Sequence, residues 1–248
     1  MHSAFSLPAI VFSCEYGKPG VLGSTSTLLD DHVLIDCGPT VPAALARFNA
    51  DAAEITDIVI THNHSDHFDM ESVKKIAGNG KIRLFGSPQV CAEAEVCCEV
   101  HPVSYGCRFQ VAGFDFLALP ANHAVEDPYE DTFLYVISGG GRTLLYALDT
   151  AWFSSRAKRF LGTSYLDGII WDATMSEAGD WRVFDHSDPT MFRVIRKTLA
   201  QSRNIDEKTR IWFNHRARTL WPADPAEQEK IAVRENVELA HEGEIVIF

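Results

Sequence analysis

The chain has 248 residues, with 22 Lys and Arg against 34 Asp and Glu, and so a formal charge of −12. Hydrophobic residues make up 46% and charged residues 23%, enough to bury a sizeable core, which excludes wholesale disorder. The acidic balance argues against a nucleic-acid binder with a broad basic face, and no run approaches the about 18 consecutive apolar residues of a membrane span.

At about 150 residues per domain the length suits one large α/β domain over residues 1–248. Met1 to Phe12 is apolar, but the first basic residue is Lys18, so an export leader is not expected and a first strand is. Runs 25–29 and 32–36 read as strands meeting at Asp30-Asp31, and 55–61 as a buried strand. Runs 108–111 and 114–119 form one expected hairpin, and 132–137 with 143–148 another around Gly139-Gly140-Gly141. Further strands are expected at 168–172 and 210–213. Helical periodicity appears over 42–49, 70–77, 89–98, 189–201 and 226–239. Two sheets with helices on their outer faces is the expected architecture. The six cysteines (Cys14, Cys37, Cys91, Cys97, Cys98 and Cys107) contain no C-x-x-C pair. They read as free thiols, mostly in the core, of a protein in a reducing cytoplasm.

The stretch Thr61-His62-Asn63-His64-Ser65-Asp66-His67 holds three of the ten histidines. It follows the apolar run Ile58-Val59-Ile60, so the chain leaves a sheet there and turns. Imidazoles at i and i+2 can converge on one metal while Asp66 and His67 aim at a neighbouring one. Nitrogen and carboxylate donors of this kind suit Zn²⁺, Mn²⁺ or iron. The same position, a His or Asp just past an apolar strand, recurs four times. His123 follows Phe116-Leu117-Ala118-Leu119, and Asp149 follows Leu144-Leu145-Tyr146-Ala147-Leu148. His215 follows Ile211-Trp212-Phe213, and Asp36 follows Val33-Leu34-Ile35. Taken singly, such residues more often cap turns. Together with the triple-histidine motif they point to a site on one rim. His2, His32, His101 and His241 lack that context and read as ordinary surface residues.

This order of residues resembles the metallo-β-lactamase superfamily over about residues 20 to 220. The resemblance implies a four-layer αβ/βα sandwich with a dinuclear site at one edge. His62, His64 and His123 would hold the first metal, Asp66, His67 and His215 the second, and Asp149 would bridge them. Asp36 would lie behind a ligand histidine and orient it. The implied cofactors are two divalent ions, Zn or Mn, with iron admitted.

Asp149 stands where true β-lactamases carry Cys, and His64 where flavo-di-iron oxidoreductases carry Glu. Both choices resemble the branch of phosphodiesterases, tRNA 3′-processing nucleases and glyoxalase II-like thioesterases. Phe184-Asp185-His186-Ser187-Asp188 resembles the corresponding segment of cyclic ribose-phosphate phosphodiesterases. That implies His186 as general acid, with Asp66 the other catalytic residue; the alternative is a plain helix-start role for His186 beside the cap Asp188. Two departures bear on the substrate. Cys14 to Gly23 holds a single Cys where that branch has a Cys-rich insertion, and Asn214-His215-Arg216-Ala217-Arg218 lacks a second His.

The implied activity is hydrolysis of a small anionic phosphodiester, with 5-phosphoribosyl 1,2-cyclic phosphate as one candidate. Two divalent ions set against Asp66, Asp149 and a hydroxide would leave the site net positive inside an acidic protein, which suits such a substrate. Arg216 and Arg218 read as surface arginines, with a clamp on a second phosphate as the alternative. Trp152, Phe153, Trp181 and Trp221 read first as core, with a pocket wall or a homodimer contact as alternatives. The rival activities are a tRNA-processing nuclease, a thioesterase or lactonase, and a non-hydrolytic di-iron sensor.

Overall fold

A computed structural model describes residues 8–13, 15–16, 25–78 and 82–247; the readings placed on His2, Cys14 and Lys18 fall outside them. The chain opens with β1 (Pro8–Ser13), β2 (Glu15–Tyr16), β3 (Ser26–Leu29), β4 (Val33–Ile35) and α1 (Val41–Arg47). Next come β5 (Asp57–Val59), α2 (Met70–Ala77), β6 (Ile82–Gly86), α3 (Pro88–Ala94) and β7 (Cys98–Pro102). The second half starts with β8 (Arg108–Val111), β9 (Phe114–Pro120), β10 (Phe133–Gly139), β11 (Arg142–Ala147) and α4 (Ser155–Leu161). It continues with β12 (Gly168–Asp172), α5 (Pro189–Gln201), β13 (Arg210–Asn214) and β14 (Arg216–Ala217). It ends with α6 (Pro225–Glu235), β15 (Glu238–Leu239) and β16 (Glu244–Ile247).

Side chains alternate across a strand, and here both faces are buried, so the strands read as near-continuous apolar runs. In the first sheet Leu28, Leu34, Ile58 and Leu84 face outward onto Val73, Ile76 and Val90 of the helices. Their neighbours Leu29, Ile35, Val59 and Phe85 face inward, against Phe116, Tyr135, Tyr146, Ile170 and Trp212 of the second sheet. The outer face of that sheet, with Leu117, Leu145, Trp171 and Phe213, packs on Leu161, Phe192, Ile195 and Ile231 of α4, α5 and α6. The result is four layers, helices on sheet on sheet on helices. Among the described residues no helix is long and apolar enough to cross a membrane.

The first sheet runs β16-β1-β3-β4-β5-β6-β7 and the second β15-β13-β12-β11-β10-β9-β8. Strands β4 to β7 are parallel, as are β11, β12, β13 and β15. β9 is antiparallel to β10, which is antiparallel to β11, so β9 runs with β11. Parallel order puts the carboxyl ends of β4, β5, β6 and β7 on one rim of the first sheet, and those of β9, β11, β12 and β13 on one rim of the second. Ligands of open α/β sheets gather at such ends.

Some expected elements differ. The strands expected from sequence do not include β2, β6, β7, β14, β15 or β16, and the helix expected over 89–98 stops at Ala94 before β7 begins. β7 is an edge strand with a half-exposed burial pattern, so it lacks an apolar signature. The helix expected to 239 ends at Glu235, because Asn236 adopts a left-handed φ of 51° and redirects the chain into β15. α4 was also unanticipated; the Ser154 side chain caps it, accepting from Ala157 N–H. Of the five described cysteines, all free thiols, only Cys37 and Cys91 are buried.

Two hydrogen bonds cross the interior at the site end. The Tyr135 hydroxyl donates to the Ile60 carbonyl at 2.8 Å, and Phe133 N–H donates to the Thr61 carbonyl at 2.9 Å. The second sheet thereby fixes the residues that lead into the histidine motif. Tyr135→Phe is expected to lower stability by about 1–2 kcal/mol, read as a lower urea midpoint with unchanged slope.

Candidate metal centre

The motif loop is pinned at both ends. Cys37 N–H donates to the His67 carbonyl at 2.7 Å, and Asp69 N–H donates back to the Cys37 carbonyl at 2.9 Å. Within the loop, His67 N–H and Phe68 N–H both donate to the His64 carbonyl, at 2.9 and 2.8 Å. Asp69 then caps α2, accepting from Ser72 N–H at 2.8 Å.

Two donor groups result. In the first, His64 Nδ1 lies 3.1 Å from His62 Nε2 and 2.9 Å from His123 Nε2. Asp149 Oδ2 stands 3.7 Å from His62 Nε2 and 3.6 Å from His123 Nε2. In the second, Asp149 Oδ1 stands 3.3 Å from both His67 Nε2 and His215 Nε2. Asp66 Oδ2 is 3.5 Å from the same two nitrogens. All seven residues singled out as ligands from sequence are thus brought together, with one carboxylate oxygen of Asp149 turned to each group.

The far side of each ring fixes which nitrogen is free. His123 Nδ1–H donates to the Asp185 carbonyl at 2.9 Å, which leaves Nε2 as a lone pair aimed inward. Asp36 accepts from His67 Nδ1–H at 2.9 Å, from Thr61 N–H at 2.7 Å and from the Thr61 hydroxyl at 2.9 Å. With its proton given to Asp36, Thr61 Oγ1 accepts from His62 Nδ1–H at 3.0 Å. His62 Nε2 is therefore a lone pair as well. Carboxylates and hydroxyls behind the rings are the usual means of orienting metal-binding histidines.

These residues fit a divalent ion. Donors that share a cation at about 2.0–2.1 Å lie roughly 3–3.4 Å from each other, close to the spacings within both groups. Two lone pairs converging on a third imidazole nitrogen repel one another unless a cation or proton lies between them. His67 Nε2 and Asp149 Oδ1 are buried and have no hydrogen-bond partner among the described residues. Burial pushes the His62 and His64 pKa values down, so both are neutral, the ligating form. Burial opposes charge on His67 too, but Asp149, Asp66 and Asp36 outweigh it and raise that pKa well above the ordinary value. A proton there serves the place a cation would take.

The backbone is strained at the same rim. Asp36, Asp149 and His215 have φ of 61°, 52° and 57°, each just past the end of a strand. Left-handed φ costs of order 1–3 kcal/mol in a residue other than glycine, and persists where the surroundings over-determine it. The sharp turn aims each side chain into the rim.

His186 also reaches this rim. Its Nδ1 lies 2.9 Å from Asp172 Oδ2 and 3.0 Å from Thr174 Oγ1, and its ring stacks on His215 with centroids 5.4 Å apart. Burial disfavours the charged ring, but Asp172 prevails and raises its pKa to about 9. Asp188 caps α5. Sequence reading passed over Asp172, although it follows Ile169-Ile170-Trp171 at the end of β12 and so obeys the strand-end rule that found the others. Buried Asp172 accepts from Thr150 N–H at 3.0 Å and Thr174 N–H at 2.8 Å. Thr174, 2.8 Å from His215 Nδ1, was missed too and carries no sequence signal.

The cavity over the two groups measures about 420 Å³ and is lined by Asp66, His123, Asp149, Trp181, Arg182 and His186 among others. Arg216 and Arg218 do not line it, which corrects the clamp reading. Arg216 is not on the surface either: it is buried, donating to Gln228 Oε1 at 2.8 Å and to the Ala240 carbonyl at 2.7 Å. Arg218 lies 3.8 Å from Glu242. Side chains alternate along this extended segment, and Ala217 and Thr219 are the ones that face the cavity. The aromatic residues divide as well: Phe153 and Trp221 are core, whereas Trp152 and Trp181 are exposed.

The sequence pattern of the β-lactamase superfamily domain matches residues 31–210, which include the motif, His123, Asp149 and His186. The chain belongs to the metallo-β-lactamase superfamily. Solved structures share its fold. The metallo-β-lactamase fold protein YhfI from Bacillus subtilis superposes with a TM-score of 0.76 at 15% identity, covering 98% of this chain and 100% of that one. A diphosphatase of the PhnP family gives 0.70 at 18%, covering 98% of each chain. The short form of human tRNase Z gives 0.66 at 18%, again covering 98% of each. Comparison with curated proteins found no match.

Asp36→Asn keeps size and tolerance of positive φ but removes the charge and turns one of the two acceptor oxygens into an NH2 donor, so Thr61 N–H and His67 Nδ1–H no longer each have a carboxylate oxygen. It is expected to weaken divalent-metal binding by roughly 10–100-fold, measured by competition with a chromogenic chelator.

Proposed function

We propose that this protein is a dinuclear metal-dependent phosphodiesterase acting on a small phosphorylated sugar or nucleotide. The observation that carries the reading is the placement of Asp149, whose two oxygens face two separate donor groups. His62, His64, His123 and Asp149 Oδ2 would hold one cation, and Asp66, His67, His215 and Asp149 Oδ1 the other. When bound, such a pair acidifies a water and polarises a phosphoryl oxygen.

The chain's own residues supply the rest. Asp66 lines the cavity and offers a carboxylate that orients the attacking water. His186 keeps Nδ1 engaged with Asp172 and Thr174, so Nε2 is the nitrogen that hands a proton to the departing alkoxide. Two relatives in fold, described as a diphosphatase and a tRNase, act on phosphate-bearing substrates, which supports a phosphoryl rather than an acyl substrate. A long RNA is disfavoured by the −12 charge. Free thiols support a reducing cytoplasm as the place of action.

Metal-replete protein is expected to bind two ions per chain by elemental analysis and to hydrolyse bis-p-nitrophenyl phosphate with Mn²⁺ or Zn²⁺. Asp149→Ala should abolish turnover. Absence of turnover on any small phosphodiester by fully metallated protein overturns the proposal. His186→Ala should retain both ions while kcat on a phosphodiester with an alkoxide leaving group drops by roughly 10²–10⁴-fold, with a much smaller loss on bis-p-nitrophenyl phosphate, whose phenolate leaves unprotonated; metal loss in that variant would instead make His186 a ligand.

A further inference from the structure

The 3₁₀ turn Trp181–Phe184 presents two large aromatics to water: Trp181 is 68% exposed and Phe184 77%, whereas Trp171 and Trp212 are wholly buried. Exposed aromatic surface beside a polar cleft marks a binding function more often than a packing one. Trp181 lines the cavity next to His186 and Asp185. One face of its indole is covered, since the Arg182 guanidinium lies 5.0 Å from the ring centroid. Arg182 is itself braced: its Nη1 donates to both carboxylate oxygens of Asp180 at 2.9 Å. Asp180 also caps the turn, accepting from Arg182 N–H at 2.9 Å.

The turn is tied to the metal centre. Asn122 Nδ2 donates to the Phe184 carbonyl at 3.3 Å, and His123 Nδ1 to the Asp185 carbonyl at 2.9 Å. The turn that carries the indole is therefore anchored beside His123, with one face of the ring backed by Arg182 and the rest open. Arg182 is the only Lys or Arg among the described residues lining the cavity, and its charge is paired with Asp180. Among the described residues the rim thus offers an aromatic plane and no free cation for a second phosphate.

A sugar offers an indole face only the C–H groups of a small puckered ring, whereas a nucleobase offers a planar π-face that covers the indole and stacks more strongly on it. We propose that Trp181 determines specificity by stacking on the base of a nucleotide phosphodiester whose phosphate sits at the His/Asp groups, an inference that rests on the phosphodiesterase reading above. The cavity, at about 420 Å³, has room for one such ligand. Arg182 and Asp180 act through the indole and are positioning residues.

Two measurements on metal-loaded protein test this. AMP should quench tryptophan fluorescence and ribose 5-phosphate should not, with the quench lost in Trp181→Leu and kept in a Trp152→Leu control. In kinetics, KM for a 2′,3′-cyclic nucleotide should rise roughly 5- to 140-fold in Trp181→Leu and recover in Trp181→Tyr. The preference over the 2,3-cyclic phosphate of methyl riboside should collapse in parallel. The side chain is exposed, so an unchanged melting temperature is expected to show that the variant folds. Equal quenching by ribose 5-phosphate, or equal turnover of both cyclic phosphates by the unaltered protein, overturns the stacking role and leaves the phosphodiesterase reading in place. Quenching by AMP alone, in a protein that hydrolyses no phosphodiester, supports base stacking and overturns only that earlier reading.

Discussion

The carboxylate of Asp149 lies buried between four imidazole nitrogens, 3.3 to 3.7 Å away, and each of its oxygens addresses a different pair. An isolated buried carboxylate is costly, and Asp149 carries left-handed backbone strain in addition. Neighbouring hydrogen bonds hold it there. Thr150 N–H is fixed to Asp172, and Ala151 N–H donates to the Asn122 carbonyl at 3.0 Å. Burial works against its charge, but His215 and His67 keep its pKa well below the ordinary carboxylate value. The chain thus keeps a negative charge poised between two sets of nitrogens, an arrangement whose electrostatics are completed by cations.

Two further carboxylates, one per sheet, support that arrangement in parallel ways. Asp36 follows β4 and collects Thr61 N–H, the Thr61 hydroxyl and His67 Nδ1–H. Asp172 ends β12 and collects Thr150 N–H and Thr174 N–H, with His186 Nδ1 beside it. Neither lines the cavity. Each fixes a backbone turn and one imidazole in a single stroke, so the histidine rings inherit the rigidity of the strands. In the proposed reading this separates labour: deep acids orient, and the groups they orient meet the substrate.

The aromatic rim belongs to another layer of the design. The donor groups sit on strand ends, which the two-sheet core holds in register. Trp181 sits on a turn tied down by a few polar contacts. Substrate choice can therefore vary on that turn without disturbing the floor of the cavity, as is usual for loops carried on a rigid scaffold.

Much of this was legible in the residues themselves. Most strands and five of the six helices announce themselves by apolar runs and periodicity, and the ligand-type side chains all stand just past apolar strands. A parallel rim needs donors there, and local order in the chain is enough to reveal them. The edge strand β7 escaped because half its side chains are wet, and α6 was overextended because only the backbone records the turn at Asn236. Long-range packing alone decided which oxygen of Asp149 meets which nitrogens, that Arg216 points inward to Gln228, and that Trp181 stands in water while Trp221 is core. Spacing within a segment shows which side chains share a face, but what that face meets depends on contacts between residues far apart in the chain.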